Sequence, residues 1–453
     1  MKTLALLGFA EGAVFQRRQA QGTATVRLAE PSGVPQQLAS NFIYGIVDNV
    51  TARASVSTAI PDLFYTGIGF NACRAGGAQL VAPNRGWAFG ENEYVGRFAS
   101  TLSNYLTTRK LGGDFILLVH DLWGADSLEA NTIAYPGDSG DWSSFGRFYD
   151  RLFSDLRANN MIDGVVVDIW NEPDIGSFWA RSSPQYLDYY GRAHRRLRAE
   201  FSALKISGPS LSQPASTSAT TWQQWTSYVA ANDLIPDIYS WHQLVTSQDP
   251  ASNLQAFESL RTQNNLPVRP IDINEYAAPE EQIPSTSAWY ISRFERLNLR
   301  GLRANWAGFG DLHDFLANVV GKNGTEYFPN GEWQLYKYYG GMTGTRVATS
   351  GSADGGFDVF ATKGDVAKSV KVLAGNMGNT RTYDITINGP KSVGLPASGK
   401  VDIRTFRFDW NGRFGKIGAP VDLGVYSHQY SGDQVTFWVT TETANTAYAF
   451  EFA

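Results

Sequence analysis

Between about residue 40 and residue 320 the chain repeats one unit, a short apolar run followed by an amphipathic segment. Each run has the length of a strand, and each segment after it the length of a helix able to cover that strand. Runs begin near Phe42, Gly67, Phe115, Val165, Ile206, Ile238, Ile271 and Leu302, which makes eight units. Phe115 to Val119 and Gly164 to Val167 are apolar without a break, as parallel strands covered on both faces must be. One intervening segment shows the helical period: Phe145, Phe148, Tyr149, Leu152, Phe153 and Leu156 share a face that Arg147, Asp150, Arg151 and Asp155 avoid. Six or seven units would favour an open doubly wound sheet; eight predict a closed (β/α)8 barrel.

Past about Trp333 the pattern changes to half-apolar strands with no convincing helix. Val401 and Ile403 alternate with polar residues, as do Val435, Phe437 and Val439, and Asn388-Gly389-Pro390 and Asn411-Gly412 interrupt the runs. Such strands pack most simply as a β-sandwich. At 453 residues the chain also exceeds the size at which one core stops growing. The reading is therefore a leader (1–21), a (β/α)8 barrel (22–332) and a C-terminal β-sandwich domain (333–453), which Thr23 to Leu28 could join as a further strand. Met1-Lys2, the apolar Thr3 to Ala10 and the Arg17-Arg18 pair resemble a short secretory signal with a dibasic processing site, although Glu11 interrupts it. Secretion is the expected localisation. Asn49-Val50-Thr51 and Asn323-Gly324-Thr325 are acceptor sequons.

A net charge of −5 without a Lys/Arg cluster gives nucleic acid no footprint, and no apolar run reaches the roughly 18 residues that span a bilayer. Cys73 is the single cysteine, so no internal disulfide can form, and it reads as a small buried residue. With five His and no His-x-His pair, a metal-dependent barrel hydrolase lacks ligands, and no cofactor is expected. Gly137-Asp138-Ser139-Gly140 reads as a loop turn, not a protease nucleophile loop. The 13 Trp and 21 Tyr suit a cleft that stacks sugar rings, and equally a large aromatic core.

In a barrel of this kind reactive groups collect at the C-terminal ends of the strands. The run Gly164 to Asp174 drives an apolar strand into Asn171-Glu172, with Pro173 ending the ladder. Three units later Arg269 to Tyr276 delivers Glu275 to the same rim. Hydrolysis of a glycosidic bond with retention needs a carboxylic acid for the leaving oxygen and a carboxylate, about 5–5.5 Å away, that attacks the anomeric carbon. Glu172 fits the acid/base and Glu275 the nucleophile. Asp168 and Asp272 point along their strands and read as structural, and Glu280 and Glu281 lie past Pro279 as loop residues.

The Trp170-Asn171-Glu172-Pro173-Asp174 string resembles clan A glycoside hydrolases, and over most of the chain the sequence is most similar to glycoside hydrolase family 39. The resemblance implies that Asn171 holds the sugar 2-hydroxyl and that His242, in Ser240-Trp241-His242, lies beside the nucleophile. It further implies that Arg74 and Trp306 stand near the nucleophile and the sugar floor, and that His120 and Trp123 belong to the site more loosely. So placed, Arg74, with Tyr276 as a second candidate, is the expected donor that keeps Glu275 ionised; the alternative is an Arg74 that simply neutralises a buried carboxylate of the barrel. The partner is then a carbohydrate substrate. Ile273-Asn274-Glu275-Tyr276 departs from the family's usual Thr-Glu-Phe, and the family acts on β-xylosides, α-iduronides, arabinosides and exopolysaccharides, so the sugar stays open. A barrel that binds carbohydrate without cleaving it, and an endo-glycanase of another clan A family, are the alternatives.

Overall fold

A computed structural model describes residues 19–50, 55–128, 132–246 and 248–453. The leader through Arg18, and Thr51 of the first sequon, lie outside the described residues. Strand β1 (Thr23–Pro31) precedes the barrel and pairs with none of its strands. The barrel follows as β2 (Asn41–Ile43), β3 (Ala72–Ala75), β4 (Asp114–Leu118), β5 (Val165–Asp168), β6 (Lys205–Leu211), β7 (Ile238–Gln243), β8 (Ile271–Tyr276) and β9 (Arg300–Arg303). Each pairs in parallel with the next, and β9 closes on β2 through Asn41–Leu302 and Phe42–Arg303.

The units are connected by α1 (Leu63–Thr66), α2 (Glu91–Lys110), α3 (Val119–Trp123), α4 (Ser143–Ala158), α5 (Ser183–Glu200), α6 (Thr220–Ala231), α7 (Pro250–Gln263) and α8 (Pro284–Leu297). Helix α4 buries all six residues of the predicted apolar face. Asn160, left-handed at φ 51°, ends it, and the Met161 amide returns to Leu156 O at 2.8 Å. The second strand is the one misplaced by the sequence. Gly67 caps α1, Gly69 turns at φ 71°, and β3 starts at Ala72. Ile68 and Phe70 are buried in that turn, so they look like strand residues by hydrophobicity alone.

At the barrel floor Arg300 donates to Asp272 (2.9 and 2.6 Å) and to Asp114 (2.9 Å), which gives Asp272 the structural role expected of it. Cys73 is buried and unpaired. Among the described residues no helix is long and apolar enough to cross a membrane.

A hairpin, β10 (Val320–Asn323) and β11 (Glu326–Pro329), leads into α9 (Gly331–Gly340). This helix begins where the sequence pattern suggested strands alone; Asn330 caps it by accepting from the Glu332 and Trp333 amides. Eight strands follow: β12 (Thr345–Ser350), β13 (Phe357–Lys363), β14 (Val370–Asn376), β15 (Thr382–Asn388), β16 (Gly399–Phe408), β17 (Val421–Tyr430), β18 (Gln434–Thr440) and β19 (Ala447–Phe452). With β1 they form one sheet in the order β17-β16-β19-β14-β13-β12-β1-β15-β18. It folds over at β12 into two layers around Val26, Val359, Val372, Ile385, Ile403 and Val435, a β-sandwich. The sandwich is tied to the barrel through α8, where Arg293 and Arg296 both reach the buried Asp358 at 2.9 and 2.5 Å. A Cβ on Gly375 of β14 would lie 2.2 Å from Ser285 O of α8, so the two layers meet backbone to backbone there.

Candidate active site at the mouth of the barrel

Strand β5 ends on Asp168, whose buried carboxylate accepts from Arg74 Nε (3.0 Å), Ser210 Oγ (2.9 and 2.8 Å) and Asn274 Nδ2 (3.0 Å). Beyond it Trp170 wedges outward against Trp179 and Tyr189, with ring centroids 5.0 Å apart in each case. Asn171 and Glu172 then turn back over the mouth. Glu172 has φ 43°, a left-handed conformation that costs a glutamate about 1–2 kcal/mol. Its amide donates to the carbonyl of Ser210 at 2.9 Å, and Ser210 itself sits at φ 55° in an irregularity of β6. Backbone strain kept at a strand end by two neighbouring strands is a common mark of a functional site.

Strand β8 reaches the same rim by a different device. Trp241 of β7 pairs with Ile273 and His242 with Glu275, so Asn274 is an extra residue in the ladder. The bulge turns two successive side chains into the barrel. Asn274 donates to Asp168 and to Ser210 Oγ (2.8 Å), and Glu275 Oε1 accepts from Arg74 Nη1 at 2.7 Å. Tyr276 consequently faces outward. Its hydroxyl meets Ala39 O and Tyr336 Oη at 2.8 Å each, and its ring packs on Tyr290 and Phe294 of α8. The expectation that Tyr276 donates to Glu275 is therefore corrected by the bulge.

Arg74, wholly buried on β3, holds the set together: besides Asp168 and Glu275 it donates through Nη2 to Asn171 Oδ1 at 2.8 Å. Burial alone would lower its pKa, yet the two carboxylates raise it above the usual value, so the guanidinium keeps its charge. His242, also wholly buried, has Nδ1 at 2.8 Å from Glu172 Oε1 and Nε2 at 3.7 Å from Glu275 Oε1. Burial lowers it to about 4, against the pull of Glu275, so the imidazole is neutral.

Burial, with help from the charge of Asp174, lifts the Glu172 carboxyl to about 7, and the more distant Arg74 and His120 offset this only in part. Glu275 is raised too: burial outweighs His242 and Arg74, contrary to the expectation that Arg74 would bring it below its ordinary value. The two differ in what touches them. Glu275 contacts a cation, whereas Glu172 contacts a neutral ring. Negative charge is held more readily on Glu275, and the proton on Glu172.

Glu172, Glu275, Asn171, His120 and Trp306 line one cleft of about 360 Å³, a size within the range of small-molecule sites. Trp306 is 38% exposed at its edge, its indole N–H donating to Ala277 O at 2.8 Å. His120 Nε2 lies 2.7 Å from Asp121 Oδ1. Arg74 and His242 lie beneath this lining, not in it. Trp123 is not part of the cleft: α3 follows β4 directly and swings the ring back onto Phe148 of α4, with its N–H on Ala134 O. Glu281 is buried and accepts from the Ala278 amide and Tyr290 Oη at 2.9 Å each, while Glu280 is exposed.

Several cleft residues escaped the sequence reading. Tyr44, just past β2, donates its hydroxyl to Asp121 and accepts from the Gly76 and Ala78 amides at 3.0 Å. Asp126 accepts from Arg97 and from the Gln79 amide, at 2.6 Å each. The strand-end rule could have found Tyr44; Asp126 and Gln79 lie in loops with no such signal. Among the described residues no group of three or more His, Cys, Asp or Glu is placed to hold a metal ion.

No family model matches the chain. It is 29% identical over 121 residues to a 3-O-α-D-galactosyl-α-L-arabinofuranosidase of Bifidobacterium longum subsp. longum, a stretch amounting to 26% of this chain and a tenth (10%) of that protein's length. Among solved structures it is similar to N2152 from Neocallimastix frontalis, with a TM-score of 0.74 and 19% identity over 95% of this chain and 99% of the other. A monomeric β-xylosidase from Caulobacter crescentus CB15 gives 0.56 and 13%, with 95% and 99% covered. A glycoside hydrolase family 39 enzyme from Xanthomonas axonopodis pv. citri gives 0.53 and 13%, with 96% and 98% covered. At these identities the fold is what is shared, and it is a fold that glycoside hydrolases use.

Proposed function

We propose that the protein is a retaining glycoside hydrolase, of the family 39 type within clan A and secreted, in which Glu275 is the nucleophile and Glu172 the acid/base. One observation carries this reading: two carboxyls meet at one cleft, one in contact with the guanidinium of Arg74 and the other in contact with neutral His242. In the first step Glu275 attacks the anomeric carbon while the glycosidic C–O bond breaks and its oxygen takes the Glu172 proton. In the second, water gives a proton to Glu172 and its oxygen displaces Glu275, which restores both groups.

The charges beneath the cleft support that course. One guanidinium serves the carboxylates of Asp168 and Glu275, which leaves an excess negative charge under the sugar. Such a field favours the positive charge that builds on the anomeric carbon in the transition state. Asn171, fixed by Arg74, presents its amide to the sugar beside the nucleophile. With Glu172 protonated and donating to Nδ1, the ring proton of His242 sits on Nε2 and faces Glu275. The sequence similarity to a galactosyl-arabinofuranosidase makes an arabinofuranoside the first substrate to test.

Aryl α-L-arabinofuranosides, β-xylosides, β-glucosides and β-galactosides, together with arabinoxylan and arabinogalactan oligosaccharides, test the reading with wild type, Glu172→Ala and Glu275→Ala. Retention of the anomer, collapse of both variants and azide products of opposite anomers from the two would support it. Sugar binding without turnover of any glycoside would overturn it in favour of a binding protein.

A further inference from the structure

A second cavity, of about 300 Å³, lies on the other side of the β8–β9 rim, where the loop after β8 and the end of β9 meet Trp410 and Arg413 of the sandwich domain. The cleft and this cavity share their wall. Ala277 and Trp306 join on the cleft side, and Gln282 Nε2 donates to Ala304 O at 2.7 Å on the other. Gln282 is 3% exposed, and with its amide nitrogen so used its Oε1 is left buried without a donor.

The charges of the lining narrow the ligand. Arg303 and Glu332 cancel each other in a buried two-pronged ion pair at 2.6 and 2.5 Å. That leaves Arg413, half-buried, and Glu280, exposed, as the remaining charges, and among the described residues neither makes an ion pair or a side-chain hydrogen bond. Free donors and free acceptors thus stand in one cavity with no net charge. Trp410 adds a partly exposed aromatic ring, its inner edge set against α9, where a Cβ on Gly331 would lie 3.2 Å from the ring. An inorganic anion would use Arg413 alone. A neutral sugar ring uses all of these, since each hydroxyl both donates and accepts and one ring face is apolar.

We infer that this cavity is a second saccharide site, which holds a neutral sugar unit of a polysaccharide on Trp410, Arg413 and Glu280 beside the cleft. The lining alone selects a sugar; that the bound chain also feeds the cleft rests on the glycosidase reading. Native gels cast with arabinoxylan, arabinogalactan, xyloglucan or galactomannan test it, using Glu275→Gln to prevent digestion, alone and combined with Trp410→Ala, Arg413→Ala or Glu280→Ala. At least one polymer should retard the parent, and Trp410→Ala or Arg413→Ala should weaken the retardation tenfold or more. In the otherwise wild-type chain the same substitutions should leave kcat/KM on small aryl glycosides within twofold. Glu280→Ala, at an exposed position, reads the site should Trp410→Ala fail to fold. Equal retardation of parent and variants, absence of retardation by every polymer, or release of the polymer by millimolar inorganic phosphate would overturn the inference. Retardation that depends on Trp410 in a protein that cleaves no glycoside would leave the site standing and remove the glycosidase reading instead.

Discussion

Replacing Glu172 by Gln keeps the shape of the side chain and its contact with His242 but removes the proton equilibrium, so the difference between wild type and variant reports that equilibrium alone. The carboxyl has an ordinary value of 4.5 and is lifted to about 7 in the folded protein, chiefly by burial. Between those values the unfolded chain gives up the proton and the folded one keeps it, so rising pH favours unfolding. The contribution is therefore complete below about pH 4.5, is lost as pH rises through about 7 and is gone by about 8. At about 1.4 kcal/mol per pH unit the gap amounts to about 3 kcal/mol. Urea denaturation from pH 4 to 8.5 should show wild type losing about that much relative to Glu172→Gln over this window. The same proton should appear in the rate, with wild-type kcat/KM falling above about pH 7 as the acid ionises. Parallel stability curves for the two proteins, or an alkaline limb near pH 5, would refute both the environment described for Glu172 and its role as acid.

Arg74→Met leaves Asp168 and Glu275 without their shared cation; urea denaturation should show a loss of about 3–5 kcal/mol. In whatever Arg74→Met protein folds, the acid limb of the rate profile should move to higher pH, because Glu275 then binds its proton more tightly. Tyr276→Phe removes a hydroxyl bonded to Ala39 O and Tyr336, which should cost about 1 kcal/mol in denaturation and leave kcat/KM within about twofold. A large fall in rate would return Tyr276 to the cleft. Leu152→Ala empties a fully buried position on α4 and should cost about 2–5 kcal/mol by the same measurement, with activity at low temperature retained.

Where the sequence was legible, the signal was local. The period of α4 and the unbroken apolar run of β5 are written in consecutive residues, and each names its element and its buried face. That Glu172 and Glu275 lie at the rim is legible because a strand end is itself a local feature, marked by Pro173 in one case and by the apolar alternation before Asn274 in the other. What was missed depends on contacts between distant residues. Tyr44 and Asp121 are 77 positions apart and meet only once β2 and α3 are in place. Trp123 was misassigned because nothing in the sequence says that α3 starts at the residue after β4. Helix α9 was overlooked because its aromatic residues, Trp333, Tyr336 and Tyr339, suit a strand as well as they suit a helix buried between two domains.

The bulge in β8 makes the position of one carboxylate a matter of counting. Strand side chains alternate, so a single residue gained or lost decides which of two neighbours faces inward. With Asn274 as the supernumerary residue, Glu275 enters the barrel and Tyr276 leaves it; a β8 shortened by that one residue would have no room for both Asn274's bonds to Asp168 and Ser210 and Glu275's bond to Arg74. The identity of the glutamate is thus only half of what a lineage has to preserve. Two chains could share every side chain named at this rim and still differ by one frame of the ladder, and an alignment gap placed carelessly in Ile271–Tyr276 would exchange the inward carboxylate for an outward phenol.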